Sequence, residues 1–461
     1  MPAFSLRRLF LLTLAAGTLS HAADTNYTIK PDHPDGVYAL NEKVTWDVDI
    51  KGGRATVTDT ASLTAVPYSI KKDGAVEVAS GTLDLSAGPA KVSATREEAG
   101  ALVVTIPNAD KSKPLPLGLG AAMFAPEKIG PSLPEPADFD AFWQAKLKDL
   151  AAVPINPVVE KVEIPTVKNS EGVDYYKVTL DNIKGTHVRG QLARPTVGDK
   201  FPAILMLQYA GVYALNKDQL VAAAKPGWLA LNISAHDLPI DEPDDYYEKL
   251  KKGELKDYVY IGSESRETSY FLRMLLGCVR AQEYLATRPD WDGKTLVVTG
   301  TSQGGLQSFA TAGLCPTKVT AMMVLVPAGC DSYATLATPA RAFGWPYWLS
   351  NWGPKDRDMK KVQETAGYFD PVYFAARIKC PSLVAAGLLD TTARPTGIIA
   401  AYNAIKAPKE LILMVNSDHR GAGGAQAEYS KCFGDWKNAI KAGKPLPMEG
   451  RPETPFSSPG K

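Results

Sequence analysis

Residues 300–304, Gly-Thr-Ser-Gln-Gly, form the pattern in this chain that is most suited to chemistry. This G-x-S-x-G spacing follows the apolar run 296–299 and precedes a helical stretch that begins near Leu306. Between a strand and a helix, such a segment turns sharply, and its glycines keep the turn free of clashes. The serine hydroxyl then stands exposed above the sheet. We therefore predict that Ser302 attacks a carbonyl carbon and forms an acyl-enzyme.

A nucleophilic serine needs a general base within hydrogen-bond reach. After residue 22 the chain has four histidines, His33, His187, His236 and His419. His33 lies in an N-terminal β-rich segment, and His187 precedes an early strand. His419 follows the apolar run 411–415 near the end of the chain, which favours it as the base. His236 also follows a strand end and is the competitor, with a loop position near the mouth of the site as its alternative role.

The acid that orients the base is expected between the serine and the histidine in sequence. Asp390 follows the apolar run 382–389 and opens a loop, so we predict that it is the acid. Asp331, after the run 319–326, is the alternative because the acid can lie one strand earlier. Asp418 is adjacent to the base in sequence and is poorly placed to reach its ring.

Two backbone amides are needed to stabilise the oxyanion of a tetrahedral intermediate. The helix that starts after Ser302 supplies the amide of Gln303. The second donor is expected in the loop after an earlier strand, and the run 203–207 ends just before Tyr209. We predict an oxyanion hole formed by the amides of Gln303 and Tyr209.

An aromatic-rich segment lies between the runs that hold the two candidate acids. It contains Phe343, Trp345, Tyr347, Trp348 and Trp352. Indole rings can stack on sugars, so Trp345, Trp348 and Trp352 are candidate substrate contacts. The alternative is that Trp348 and Trp352, four residues apart, pack together on a helix.

These candidates all follow strands that alternate with helical segments. The apolar runs are 201–207, 228–234, 296–299, 319–326, 382–388 and 411–415. Continuous apolar strands of this kind indicate a mostly parallel sheet that is covered by helices on both faces. Chemistry in such a sheet gathers at the carboxyl ends of the strands. The sequence therefore predicts an α/β fold for the catalytic part.

The chain divides into segments of different composition. Residues 23–107 contain short strands with alternating apolar residues, which predict a small all-β immunoglobulin-like sandwich. Residues 108–136 form a proline-rich connector, and residues 137–443 carry the catalytic α/β domain. The tail, residues 444–461, is predicted to be disordered.

The first 22 residues have the pattern of an export signal. Arg7 and Arg8 precede the apolar run 9–19, and small residues surround a cleavage site after Ala22. The apolar run is too short to span a bilayer. With no cysteine at the cleavage site to carry a lipid anchor, we expect a periplasmic or secreted protein.

Composition excludes several classes of partner. The 461 residues include 51 Lys and Arg against 50 Asp and Glu, so no charge excess attracts nucleic acid or an anionic membrane. The five cysteines are odd in number and widely spaced, which argues against a disulfide framework and leaves a single disulfide open. Since His and Cys do not cluster, no metal site is predicted. Serine chemistry needs no organic cofactor.

Further motifs extend through the catalytic part, at residues 138–143, 300–305, 368–371, 378–390, 401–403, 408–410 and 418–419. Over roughly residues 131–442 the chain resembles the acetyl xylan esterase and cephalosporin C deacetylase family of α/β-hydrolases. The resemblance implies Ser302 as nucleophile, Asp390 as acid and His419 as base. This chain lacks two motifs that are usual in the family. One is Arg-Gly-Gln after the strand that ends at residues 234–237, and the other is His-Gly before Tyr209. The sandwich is an addition to the short members.

The resemblance implies a secreted serine esterase that removes acetyl groups from plant polysaccharide or oligosaccharide. One alternative is a feruloyl or other bulky-acyl esterase that uses the same three residues. A different class is a non-catalytic carbohydrate-binding protein on a hydrolase scaffold. A peptidase with a large β-propeller is disfavoured, because a segment of about 80 residues cannot form one.

Overall fold

The computed structural model describes residues 26–448, except for residues 58–59, 109, 111 and 113–114. The predicted export signal, residues 1–22, and most of the predicted tail, from residue 449 onward, lie outside the described residues. Over the described ranges, no helix combines the length and apolar character that a bilayer crossing requires.

The N-terminal part is a β-sandwich. Its strands are β1 (Tyr27–Pro31), β2 (Val37–Tyr38), β3 (Lys43–Ile50), β4 (Val66–Lys72), β5 (Val76–Leu83), β6 (Ala90–Thr95), β7 (Gly100–Ile106) and β8 (Gly118–Phe124). One sheet has the order β1-β3-β6 and the other the order β2-β8-β7-β4-β5. Val44, Trp46 and Val48 alternate along β3 with more exposed residues and are fully buried between the sheets. The predicted all-β sandwich is confirmed.

The segment predicted as a connector, residues 108–136, contributes strand β8 to this sandwich. β8 pairs antiparallel with β7 and parallel with β2. At Gly120, a β-carbon would lie 2.4 Å from Cγ2 of Ile29 in the facing sheet. Small residues therefore let β8 approach the other sheet closely. The same small residues hide the strand in the sequence, because they give no clear apolar alternation.

A nine-stranded sheet occupies the centre of the described part of the chain beyond β8. Its strands are β9 (Val158–Lys161), β10 (Val173–Asp181), β11 (His187–Pro195), β12 (Phe201–Leu207), β13 (Leu229–Ile233), β14 (Trp291–Thr301), β15 (Ala321–Leu325), β16 (Ser382–Gly387) and β17 (Lys409–Met414). The order is β17-β16-β15-β14-β12-β13-β11-β10-β9. From β17 to β13 the neighbouring strands run parallel, whereas β11, β10 and β9 pair antiparallel.

Helices lie between most of these strands. They are α1 (Phe139–Ala151), α2 (Lys217–Ala224), α3 (Asp244–Lys252), α4 (Tyr270–Thr287), α5 (Gln303–Leu314), α6 (Met359–Ala366), α7 (Pro371–Ala375), α8 (Pro395–Ala404) and α9 (Ala427–Lys441). Helix α5 packs on β14 and β15, α2 packs on β11 and β13, and α9 packs on β17. The predicted α/β-hydrolase fold is confirmed.

The sandwich packs directly on the α/β part. Ala101 of β7 and Ala121 and Met123 of β8 are buried within the main hydrophobic core. On the α/β side, the side-chain amide of Asn403 donates hydrogen bonds to the carbonyls of Pro126 and Ile129, at 2.8 and 2.9 Å. The sandwich therefore packs on the α/β part through apolar side chains, and the segment that directly follows β8 is hydrogen-bonded to α8.

Candidate active site

Ser302 occupies the sharp turn between β14 and α5. Its φ and ψ angles are 57° and −118°, a conformation that a non-glycine residue adopts only when its surroundings impose it. At Gly300 a β-carbon would lie 2.3 Å from the carbonyl carbon of Gly304. At Gly304 a β-carbon would lie 2.2 Å from the carbonyl oxygen of Leu207. The turn thus tolerates only glycine two residues before and two residues after the serine.

A continuous chain of hydrogen bonds links Ser302 to His419 and Asp390. The Ser302 Oγ lies 3.0 Å from His419 Nε2, and His419 Nδ1 lies 2.6 Å from Asp390 Oδ2. The other carboxylate oxygen of Asp390 accepts the amides of Thr392 and Ala393, at 2.7 and 2.8 Å. Because an ionised carboxylate only accepts, Nδ1 of His419 donates, and Nε2 is left to accept from the serine hydroxyl.

The two other candidate acids, Asp331 and Asp418, form hydrogen bonds with groups other than the ring of His419. Asp331 is buried and accepts from the backbone amide and hydroxyl of Ser132, at 2.9 and 2.6 Å, and from Arg341 at 3.0 Å. Asp418 accepts backbone amides of the loop that follows it, at 3.0 and 3.2 Å. The ring of His419 instead donates to Asp390, which lies between the serine and the histidine in the sequence.

His236, the competing base, is enclosed by its own partners. The side chain is buried, with Nε2 3.0 Å from the carbonyl oxygen of Gly211 and Nδ1 2.6 Å from the Tyr270 hydroxyl. A carbonyl only accepts, so Nε2 carries the proton and the Tyr270 hydroxyl donates to Nδ1. Burial lowers the pKa of His236 to about 4 and keeps the ring neutral. His236 therefore holds the loop that carries Tyr209 and has no free nitrogen for a substrate.

This burial gives stability a pH dependence that can be measured. The pKa of His236 is about 4 in the folded protein, against the ordinary value of 6.5. As pH falls below 6.5, protons bind the unfolded chain first, so this stabilisation is lost between pH 6.5 and 4. Between pH 7 and pH 4.5, we expect the unfolding free energy of the parent to fall by roughly 2 to 3 kcal/mol more than that of His236→Gln, because glutamine does not titrate. Urea unfolding at both pH values tests this, and equal losses in the two proteins would contradict it.

The two amides predicted to form the oxyanion hole lie at the ends of neighbouring strands. Gln303 opens α5 directly after Ser302, and Tyr209 follows β12, the parallel neighbour of β14. Among the hydrogen bonds of the described residues, neither amide has an acceptor.

A set of buried polar side chains fixes the Tyr209 loop against helix α5, which follows Ser302. Gln307 of α5 donates to the carbonyl of Gln208 at 2.8 Å, and the side chain of Gln208 accepts the amide of Ala235 at 2.8 Å. The hydroxyl of Tyr258 donates to the side-chain oxygen of Gln303 and lies 3.4 Å from the amide of Gly211. Sequence reasoning missed these residues, because a buried glutamine or tyrosine carries no signal of its own.

The three candidate tryptophans have different environments. Trp348 is 5% exposed, donates its indole N–H to the carbonyl of Val259 at 2.7 Å and packs edge-on against Phe271 at 4.7 Å. Its ring therefore packs in the hydrophobic core, which leaves little of its surface for the expected substrate contact. Trp345 is partly buried and packs against the same core, 5.9 Å from Phe271. Trp352 is 69% exposed.

The segment that carries these rings is built of turns. Residues 343–358, directly before α6, include no α-helix, so Trp348 and Trp352 do not share a helix face. The alternative expectation, helix packing of this pair, therefore does not hold. The prolines and glycines of the segment, such as Gly344, Pro346 and Gly353, account for the irregular backbone.

A cavity of about 610 Å³ adjoins the carboxyl ends of β12 and β14. It is bordered by α2 and α9 and is lined by Tyr209, Tyr213 and Thr301, together with apolar side chains such as Phe433. The rings of Tyr209 and Tyr213 stack with their centroids 4.7 Å apart. The cavity is thus lined by Thr301, the residue directly before Ser302, and by the Tyr209 loop.

Comparison with known proteins agrees with the motifs in the sequence. The family model described as acetyl xylan esterase (AXE1) matches residues 127–435. Acetyl esterase Axe7A of Xylanibacter ruminicola is 29% identical over 423 residues, which cover 89% of this chain and 92% of that protein.

Solved structures show the same similarity. An acetyl xylan esterase from Paenibacillus sp. superposes with a TM-score of 0.56 at 25% identity, covering 66% of this chain and 96% of that chain. Acetyl xylan esterase 1 from Thermoanaerobacterium sp. has a TM-score of 0.52 at 20% identity with the same coverage, which shows the shared fold. The chain therefore belongs to the acetyl xylan esterase family and is a carboxylic ester hydrolase.

Proposed function

We propose that this protein is a secreted serine esterase that removes acetyl groups from plant polysaccharide or oligosaccharide through an acyl-enzyme on Ser302. The observation that carries the proposal is the hydrogen-bonded chain from Ser302 through His419 to Asp390, in a member of the acetyl xylan esterase family. The export pattern in residues 1–22 supports secretion, since polymeric substrate is met outside the cell.

In the first half of the reaction, Ser302 Oγ bonds to the ester carbonyl carbon while His419 Nε2 takes the hydroxyl proton. The 3.0 Å separation of these atoms suits that transfer. Asp390 stabilises the imidazolium that forms and keeps Nδ1 protonated. When the tetrahedral intermediate collapses, the bond to the sugar oxygen breaks, and His419 gives its proton to that oxygen. The sugar leaves as an alcohol, and Ser302 carries the acetyl group.

The second half replaces the sugar with water. His419 takes a proton from a water molecule, whose oxygen bonds to the acetyl carbonyl carbon. Collapse of this second intermediate breaks the bond to Ser302 Oγ, which recovers its proton from His419. Acetate leaves and the starting state returns. In both halves the unpaired amides of Gln303 and Tyr209 donate to the oxyanion.

Acetate release from acetylated xylan tests the proposal, measured beside feruloylated xylan and a peptide substrate. The proposed function requires acetate release to be fastest. A protein that binds the polysaccharide and turns over none of the three would instead be a carbohydrate-binding protein on a hydrolase scaffold.

The cavity beside Thr301 favours one competing function, esterase activity on bulky acyl groups. Its volume of about 610 Å³ exceeds what an acetyl group needs. The Tyr209 loop lines this cavity, so an acyl chain on Ser302 can enter the cavity only if that loop leaves room for it. That loop is tied down by the buried contacts of Gln208 and His236, which support a closed wall and a small acyl pocket.

We therefore expect turnover to fall steeply from acetyl through butyryl to hexanoyl esters of one alcohol. One extra methylene in the acyl group lowers turnover about 10- to 200-fold relative to the shorter ester when the pocket has no room for it. Initial rates with the p-nitrophenyl ester series measure the dependence. Turnover of a feruloyl ester that equals or exceeds the acetyl ester would mean that the pocket is open, and the bulky-acyl function would replace deacetylation.

A further inference from the structure

Three aromatic rings form a cluster on the turn segment after β15. The ring centroids of Tyr347 and Trp352 are 4.8 Å apart, those of Phe343 and Trp352 are 5.4 Å apart, and those of Phe343 and Tyr347 are 5.9 Å apart. We call these three residues the aromatic platform. Trp352 is its outermost member, with 69% of its surface exposed, whereas Phe343 and Tyr347 are partly buried beneath it. A large indole that two neighbouring rings keep exposed to solvent indicates a binding surface.

The platform is held rigidly. Tyr347 has a φ of 62°, which is costly for an aromatic residue and persists only when its surroundings impose it. Its amide donates to the carbonyl of Gly344 at 3.0 Å, and its carbonyl accepts the hydroxyl of Ser350 at 2.7 Å. The same Ser350 hydroxyl accepts the amide of Trp352 at 3.2 Å. A ligand on Trp352 would therefore meet a surface that is already ordered, which lowers the entropic cost of binding.

The platform is attached to the loop that carries Asp390. The amide of Trp345 donates to the carbonyl of Thr392 at 2.8 Å, and Arg394 donates to the carbonyl of Phe343 at 3.3 Å. The amide of Thr392 in turn donates to Asp390 at 2.7 Å. The segment that carries the cluster is therefore hydrogen-bonded to the Asp390 loop. The carbonyl of Trp345 also accepts the amide of Gly329 at 2.9 Å, next to Ala328, whose amide donates to the carbonyl of Ser302 at 3.0 Å.

The N-terminal sandwich supports this segment from the other side. The amide of Ala342, directly before Phe343, donates to the carbonyl of Asp73 at 3.0 Å. Asp73 sits in the turn between β4 and β5 and forms a fully buried ion pair with Arg96, at 2.7 Å. The sandwich and the Asp390 loop therefore hold the start of the aromatic segment between them.

The geometry points to the aromatic platform as a carbohydrate subsite, in which Trp352 stacks on a pyranose ring of the glycan chain whose acetyl group reaches Ser302. The C–H faces of a sugar ring match an exposed indole, while the hydroxyl groups at its edge stay in water. This inference rests on the proposed function, because it takes the ligand to be a β-linked xylan chain. It also assigns the sandwich a part in substrate binding, as the support of that subsite.

Two measurements on Trp352→Ala test the subsite. We expect kcat/KM for acetylated xylo-oligosaccharide to fall about ten-fold, mainly through KM, as when one aromatic contact is removed. Turnover of p-nitrophenyl acetate, which has no sugar ring to stack on Trp352, should stay unchanged. Trp352→Phe keeps a ring and should recover most of the loss. Val197→Ala, which removes an exposed apolar side chain outside the platform, is the matched control and should behave as the parent.

The second measurement separates binding from turnover. Calorimetric titration of deacetylated xylohexaose into a Ser302→Ala variant should give an affinity that falls about ten-fold when Trp352→Ala is added. If the oligosaccharide binds through Trp352 while acetylated xylan is not hydrolysed, the proposed function fails and the subsite stands. The subsite would be overturned, even if the protein deacetylates xylan, by either of two results. One is that the oligosaccharide does not bind, and the other is that Trp352→Ala changes neither the affinity nor kcat/KM.

Discussion

Ser302→Ala is expected to lower kcat for acetyl esters by about 10⁴-fold or more, because turnover by the proposed route begins with a bond from this oxygen. The substitution removes one atom from a strained turn and leaves the flanking glycine contacts in place. Folding should therefore be intact, as judged by circular dichroism and urea unfolding. Initial rates with p-nitrophenyl acetate measure the loss. Ser93→Ala, an exposed serine of the sandwich, is the matched control and should retain parental activity.

A second readout tests the covalent step directly. A fluorophosphonate, which reacts with activated serines, should add one equivalent to the parent, and peptide mapping should locate it on Ser302. The Ser302→Ala variant should remain unmodified. Substantial residual turnover by a folded and purified Ser302→Ala protein, or label on another serine, would remove Ser302 from the role of nucleophile.

The central strands could be predicted because parallel strands are buried on both faces. The runs 201–207 and 382–388 coincide closely with β12 and β16, whose residues are almost all buried. The antiparallel edge could not be predicted in the same way. All four residues of β9 are exposed, so that strand has no apolar pattern to recognise. Strand β8 escaped for a different reason, since its small residues serve close packing between sheets.

The order of residues along the chain predicts the hydrogen-bonded set of Ser302, His419 and Asp390, but only three-dimensional contacts distinguish these residues from their competitors. His236 and His419 both follow strand ends in the sequence. Only the structure shows that both ring nitrogens of His236 are engaged, whereas His419 lies between Ser302 and Asp390. The distinction depends on how loops from distant strands meet, which local patterns do not encode.

The tryptophans illustrate the same limit for binding residues. Trp348 and Trp352 lie four residues apart and look equivalent in the sequence. The path of the turn segment buries Trp348 against Phe271 and leaves Trp352 exposed. Tyr347 and Phe343, which support Trp352, were not among the predicted substrate contacts, because their place beneath the indole depends on the same irregular backbone.

His419→Ala is expected to be about as damaging as the serine substitution, with a loss in kcat of about 10⁴-fold or more, because residues of such a triad act as a unit. Initial rates with p-nitrophenyl acetate measure this loss. The His419 side chain lies on a loop and is 23% exposed, so its removal should leave the fold intact.

His236→Ala is the informative comparison. His236 contacts the loop of Tyr209 and no reacting atom, so its loss should loosen one oxyanion donor and cost less than about 100-fold. Added imidazole should restore part of the activity of His419→Ala, since it can occupy the space beside Asp390 and accept the serine proton, and it should not restore His236→Ala. If His236→Ala were the more severe variant in a folded protein, or the one that imidazole rescues, proton transfer from Ser302 would have to pass through His236, and the hydrogen bonds to Gly211 and Tyr270 would have to break during turnover.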